Sequence, residues 1–212
     1  MNLTEFITKL DGIYKSINES VSLIDIKAKL FGFISEVNDN IYELHNYLNY
    51  LSDSGFLEAP ASTKYHGSHK YGLLQHSINV TLNLARLVDM ATRNTLISED
   101  YRSQYSVIDI LLIGLSHDFC KSNLYLQNAV DKSYYYNPEL TQMGHAIESL
   151  LIVDKLIPGL TDEVRHSIRW HMGYYDLAGY DETPYRNACK KYPLVYLTHT
   201  ADMLSSNWVI KE

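Results

Sequence analysis

Four side chains far apart in this chain are of the types a divalent cation binds: His76, His117, Asp118 and Asp202. His76 shares a helical stripe with Val80, Leu84 and Leu87, at spacings of 4, 4 and 3. His117 continues Ile110 and Ile113, Asp118 continues Leu111 and Gly114, and Asp202 follows Val195 and His199. Residues at these spacings lie on one helix face, so all four point towards a core. A buried carboxylate without a partner costs several kcal/mol or a large pKa shift. A divalent ion shared by both imidazoles and both carboxylates relieves that cost, and mixed nitrogen and oxygen ligation suits iron, manganese, cobalt, nickel or zinc better than calcium. The competing reading makes them satisfied polar groups of a core. It suits one lone helical histidine better than this ordered set of four.

The elements that must position these residues read as helices. Five prolines and ten glycines are few for 212 residues, and no clear strand alternation is present. Thr4 is placed to cap a first helix carrying Phe6, Ile7 and Leu10. A second apolar pattern runs from Val21 to Ile34, and a third carries Ile41, Leu44, Leu48 and Leu51. Residues 54–62 break the pattern. A long helix is expected from Tyr71 to about Thr92, and a nearly all-apolar, buried one from Ser106 to His117. Residues 123–141, with Tyr134-Tyr135-Tyr136, read as a packed loop, with a base-stacking platform as the alternative for the tyrosine run. Helices follow from Gly144 to about Leu156, from a Thr161 cap, and from Pro193 to Ser205, with residues 173–192 irregular. The expected fold is all-α, with an N-terminal helical extension at 1–58 and a main helical domain at 59–212.

The ordered pattern His … His-Asp … Asp resembles the signature of the HD superfamily of metal-dependent phosphohydrolases. Tyr71-Gly72-Leu73-Leu74-Gln75-His76-Ser77 is similar to that family's first segment, Leu115-Ser116-His117-Asp118-Phe119-Cys120-Lys121 to its His-Asp-x-x-Lys segment, and Thr200-Ala201-Asp202 to its closing segment. The resemblance covers roughly residues 60–208 and points to small bacterial and phage HD hydrolases and to the HD domain of YhaM-type 3′-5′ exoribonucleases. It implies an HD-type helical bundle with His76, His117, Asp118 and Asp202 around one ion. Two-ion relatives add histidines between the His-Asp and the last Asp, where this chain has His145 and His171. The implied cofactor is one or two divalent ions (Mn, Fe, Co, Ni, Zn or Mg). Relatives often carry His-His-Gly where this chain has His171-Met172-Gly173, which leaves occupancy of the second position open.

The implied chemistry is phosphoester hydrolysis by a metal-activated hydroxide that Asp118 positions. Lys121, three residues on, is expected to neutralise phosphoryl charge. Arg169 and Arg165 are candidates to reach a phosphate, and His66 and His69 for a substrate-facing or acid role. His199 reads as support for the ligands, not as one of them. A small nucleotide is the expected substrate, with a short single-stranded RNA 3′ end, and an exonuclease-like phosphodiesterase activity, as the alternative. A nucleotide-sensing module without turnover and a helical adaptor are rival readings, which metal content and phosphate release would separate.

A net charge of −7 argues against binding duplex DNA, which needs a basic face. Cys120 and Cys189 are too few for a disulfide framework and read as reduced thiols of a cytoplasmic protein. No apolar run is long enough to span a bilayer, and the N-terminal helices are a candidate homodimer surface.

Overall fold

The structure, a computed structural model, describes residues 1–18, 22–38, 41–93, 106–176 and 181–207. The fold is all-α. Val21 and the side chain of Ile41, both assigned above to apolar stripes, lie outside the described residues. The helices are α1 (Leu3–Asn18), α2 (Leu23–Val37), α3 (Ile41–Asp53), α4 (Gly72–Arg93), α5 (Val107–Ser116), α6 (His145–Leu156), α7 (Asp162–Arg169), α8 (Thr183–Lys191) and α9 (Pro193–Asn207). Single 3-10 turns cover Phe119–Lys121 and Gly173–Asp176.

Helix α4 is the axis of the molecule and packs against α9, α5 and α1. Its Leu73, Leu74, Ile78, Val80, Leu84, Ala85 and Val88 are fully buried. Each large apolar side chain buried in this way contributes about 1.5–3 kcal/mol relative to exposure. Helix α5 is buried from Ile110 onwards. Its start is fixed by a reciprocal cap: the Ser106 side chain accepts from Asp109 N, and the Asp109 carboxylate accepts from Ser106 N. Thr161 caps α7 as expected, accepting from Val164 N at 3.2 Å. At α1 the cap is Asn2, not Thr4, because Asn2 Oδ1 accepts from Glu5 N at 2.9 Å.

Two elements differ from the expectation. Residues 123–141 contain an antiparallel hairpin, β1 (Tyr125–Gln127) with β2 (Tyr134–Tyr136), in the register Tyr125↔Tyr136 and Leu126↔Tyr135. Three-residue strands are too short for a two-residue period to register. Tyr135 and Tyr136 stand exposed on it instead of packing in a loop. Helix α8 occupies the stretch read as irregular. It buries only Tyr185 and Ala188, too few for an apolar stripe.

The boundary at residue 58 divides the chain but not its core. One hydrophobic cluster runs from Phe6 and Leu10 through Leu30, Leu51 and Phe56 to Leu74, Leu111, Phe119 and Leu194. Tyr47, Tyr50 and Phe56 surround the Phe119 ring at centroid distances of 5.5, 4.8 and 5.1 Å. The N-terminal helices therefore support the turn that carries Asp118. Among the described residues, no helix is long and apolar enough to cross a membrane.

Candidate metal centre

His76 stands one turn into α4. The loop before it folds back so that the Glu58 and Ala59 carbonyls accept from Tyr71 N and Leu73 N, which satisfies donors of the first turn. Helix α5 ends at Ser116, and the turn that follows presents His117, Asp118 and Lys121. His145 opens α6, His171 follows α7, and Asp202 lies on α9.

These segments converge. His76 Nε2 lies 3.2 Å from His117 Nε2, 3.2 Å from Asp202 Oδ1 and 3.6 Å from Asp118 Oδ2. His117 Nε2 lies 3.4 Å from Asp118 Oδ2 and 4.0 Å from Asp202 Oδ1. The other oxygen of Asp118, Oδ1, is 2.5 Å from His145 Nε2 and 3.7 Å from His171 Nε2. Two ligand groups of metal-binding geometry result, His76–His117–Asp118 and Asp118–His145–His171, with Asp118 common to both. Asp202 joins the first through its contacts with His76 and His117.

Hydrogen bonds aim the rings. His117 Nδ1–H donates to Gly114 O and His171 Nδ1–H to Ile168 O, both at 2.8 Å. A carbonyl only accepts, so in the neutral rings the lone pair sits on Nε2 and points into the cluster. His171 Nε2 is buried without a hydrogen-bond partner. Asp118 Oδ1 is too, for its approach to His145 does not have hydrogen-bond geometry. Two buried acceptors thus face each other at 3.7 Å. Leaving such a group unsatisfied costs about 1–3 kcal/mol, and a cation between them removes the cost. The donor set therefore fits a divalent ion.

The electrostatics agree. Burial would raise the carboxyls of Asp118 and Asp202, but Lys121 and His117 beside the first, and His76 and His117 beside the second, hold both below the ordinary carboxylate range. Burial favours the neutral amine of Lys121, but Asp118 at 2.7 Å outweighs it and keeps the ammonium charged. Burial pushes His171 down to about 3 and also holds His76 below its usual value. Burial opposes charging of His145, but Asp118 prevails and lifts it to about 10. His117 is raised for the same reason.

A pH dependence of the ion-free protein follows. Between about 3 and 6.5 the unfolded chain takes up a proton that folded His171 refuses, so that contribution is complete above 6.5 and lost as the pH falls. His145 works in reverse: its contribution is complete below 6.5 and lost as the pH rises through about 10. Chelator-stripped protein should melt highest near pH 6.5 and lower on both sides. With Mn²⁺ the alkaline decline should vanish, because a ligand imidazole carries no proton on its binding nitrogen. Calorimetry across pH 4–10 checks this, and a melting point of stripped protein that climbs steadily from pH 6.5 to 9 would contradict it.

Solvent reaches some members of the cluster and not others. The side chains of His117, His171 and Asp118 are 0–2% exposed, whereas Asp202, Lys121 and His145 are 13, 15 and 23% exposed. The opening is therefore framed by Asp202, Lys121 and His145. His66 borders it, with its ring 5.0 Å from that of His76, and His66 Nε2 and His76 Nδ1 are both buried without partners. Burial, with His76 and Lys121 nearby, pulls His66 down to about 4. Its imidazole is therefore neutral at pH 7 in the ion-free protein.

Three expected phosphate or substrate contacts have partners outside the His-Asp cluster. His69 is exposed, and its Nδ1–H donates to Lys70 O at 2.9 Å. Arg169 pairs with Asp176 and stacks on Trp170, 4.0 Å from the ring centre. Arg165 is bound to Asp154 and the Leu160 carbonyl. Adjacency in the sequence suggested these residues, and neighbouring carboxylates and carbonyls engage them. His199 supports the site as expected, donating from Nδ1 to His171 O at 2.7 Å. Its ring also accounts for Gly173, where a Cβ would stand 2.8 Å from His199 Cε1 and φ is +56°.

One participant escaped the sequence reading. Cys120 Sγ lies 3.0 Å from His145 Nδ1. Its position two residues after Asp118 puts it in the same turn but gives no sign of the contact with His145. Comparison with known proteins returns no matching family model, curated protein or solved structure.

Proposed function

We propose that this chain is a divalent-metal-dependent phosphohydrolase of the HD type, acting on the phosphoester of a small nucleotide. The observation that carries the reading is the pair of buried acceptors, His171 Nε2 and Asp118 Oδ1, facing each other 3.7 Å apart in the middle of the His-Asp cluster. The order His76, His117-Asp118, Asp202 along the chain supports the HD assignment.

His76, His117, Asp118 and Asp202 would hold one ion, and Asp118, His145 and His171 a second. When bound, such ions supply charge neutralisation at phosphoryl oxygens and lower the pKa of water from about 15.7 towards 7. The protein's own groups do the rest. The Asp118 carboxylate, fixed by Lys121, orients the attacking water towards the opening. Lys121 presents its ammonium there to the phosphoryl oxygens that gain charge as the bond breaks. The buried floor of His117 and His171 excludes bulk water. His66 at the rim offers a neutral nitrogen to the leaving portion of the substrate.

The small-nucleotide class is favoured over polymer because the chain carries a net charge of −7 and, among the described residues, a single lysine, Lys121, pairs with the cluster. Nucleoside mono- and triphosphates, cyclic nucleotides and a short RNA should be assayed for phosphate release with Mn²⁺, Co²⁺, Ni²⁺ or Mg²⁺. A small nucleotide is expected to turn over fastest. Metal-replete protein that leaves the whole panel uncleaved would remove the hydrolase reading. Lys121→Met should lower kcat by roughly 10²–10³-fold with metal content unchanged. Wild-type kcat in that variant would confine Lys121 to a structural part.

A further inference from the structure

We propose that Cys120 is a positioning residue for His145, and that its thiol determines whether the second ion position is complete. The inference rests on the two-ion reading above and concerns a residue that reading does not use.

Three of the four histidines around Asp118 have a partner at Nδ1, and the partners differ. His117 and His171 donate from Nδ1 to backbone carbonyls, Gly114 O and Ile168 O. A carbonyl cannot donate, so the tautomer of each neutral ring is fixed with the lone pair on Nε2. His145 has no carbonyl in that place. Its Nδ1 faces Cys120 Sγ at 3.0 Å, and its Nε2 faces Asp118 Oδ1 at 2.5 Å. A thiol sulfur both donates and accepts. An ion requires the neutral ring, and in that ring, when sulfur accepts from Nδ1–H, Nε2 offers its lone pair. When the S–H donates to Nδ1, the proton moves to Nε2 and sits against Asp118. Cys120 thus permits both tautomers, where the carbonyls permit one.

The thiol is built in place. Cys120 is 1% exposed. Its N–H donates to Ser149 Oγ at 3.1 Å, and its carbonyl accepts from Gln142 Nε2 at 2.8 Å. It belongs to the same turn as Asp118 and Lys121, so the sulfur and the shared carboxylate are fixed to each other. Ser149 and His145 both stand on α6, so the turn grips the helix that delivers the ligand at two points. Two unpartnered acceptors, Asp118 Oδ1 and His171 Nε2, mark the place that His145 completes. The second position therefore depends on Cys120 through His145. That ligand is oriented by a weakly accepting sulfur, whereas His171 beside it and His117 in the first position are locked by carbonyls, and His76 Nδ1 has no partner.

Titration of chelator-stripped protein with Mn²⁺, followed by elemental analysis, tests this. Wild type should bind two ions per chain in distinguishable steps. Cys120→Ala should weaken the second step by about 10–100-fold, the usual effect of removing a group that orients a ligand, and leave the first unchanged. Cys120→Ser should recover part of the loss. The proposal is overturned if Cys120→Ala binds both ions as wild type does, if both steps weaken equally, or if wild type binds a single ion. Wild type that binds no ion at all would instead remove the metal-centre reading itself. A measurement on wild type guards against a variant that does not fold. In the Zn²⁺-loaded protein, the ¹⁵N spectrum of the His145 ring should show a protonated, hydrogen-bonded Nδ1, and an unprotonated Nδ1 overturns the proposal independently.

Discussion

Asp118→Ala is expected to abolish metal binding and turnover together. The carboxylate is 2% exposed and touches five groups: Lys121 at 2.7 Å, His145 at 2.5 Å, His117 at 3.4 Å, His76 at 3.6 Å and His171 at 3.7 Å. It is the member shared by both ligand groups, so its loss leaves each one short. Lys121 then keeps a nearly buried charge without its partner, and the histidines lose the anion that aligns them. Turnover should fall by roughly 10³-fold or more, the upper range for deleting a single electrostatic stabiliser. Removing one partner of a buried ion pair also costs about 3–5 kcal/mol, so the ion-free variant should melt lower. Asp118→Asn keeps the volume and should keep most of the fold while still losing the ions. Phosphate release and elemental analysis on the two variants check the claim. Wild-type turnover in either would assign the chemistry to another part of the molecule.

Gly114→Ala should separate two helices that the site needs in contact. A Cβ at 114 would stand 2.3 Å from Thr81 Oγ1, 2.6 Å from Thr81 Cα and 2.7 Å from Thr81 Cβ. Backbone lies on both sides, so relief requires α5 to move away from α4. The same two helices bring His76 and His117 to 3.2 Å, and Gly114 O is also the acceptor that orients His117. Overpacking of this kind costs about 1–3 kcal/mol, and for a chain of this size each kcal/mol lowers the midpoint by roughly 2–4 °C. The first-ion affinity should fall with it. Thermal melts and Mn²⁺ titration read both effects. A variant with unchanged melting point and affinity would show that the α4–α5 approach is not what spaces the two histidines.

The parts of this fold that were legible in sequence are those where one local pattern decides the outcome. Helices α4 and α5 announce themselves through long apolar stripes, and the ligand positions are polar residues lying on those stripes. His171, named through the resemblance, also follows Val164 and Ile168 at spacings of 7 and 3, as a residue of a buried stripe does. The hairpin was not, because strands of three residues have no period to detect. Helix α8 was hidden by burying only two side chains. Arg169 and His69 were assigned from nearness along the chain, yet Asp176 and the Lys70 carbonyl decide where they point. Cys120 meets His145 across 25 residues, and no spacing rule joins a turn to the start of a later helix. The proposed boundary at 58 followed a real break in pattern, but Phe119 packs against Tyr47, Tyr50 and Phe56, so the core passes through it.

Everything proposed depends on a cation lying between Asp118 and the imidazoles around it. Anomalous diffraction from crystals of protein purified without chelator, recorded above and below the absorption edge of the metal found by elemental analysis, tests this directly. The expected result is a peak within bonding distance of His76 Nε2, His117 Nε2 and Asp118 Oδ2, with a second beside His145 and His171. An anomalous map without any peak there, from protein that has been offered Mn²⁺, would contradict it.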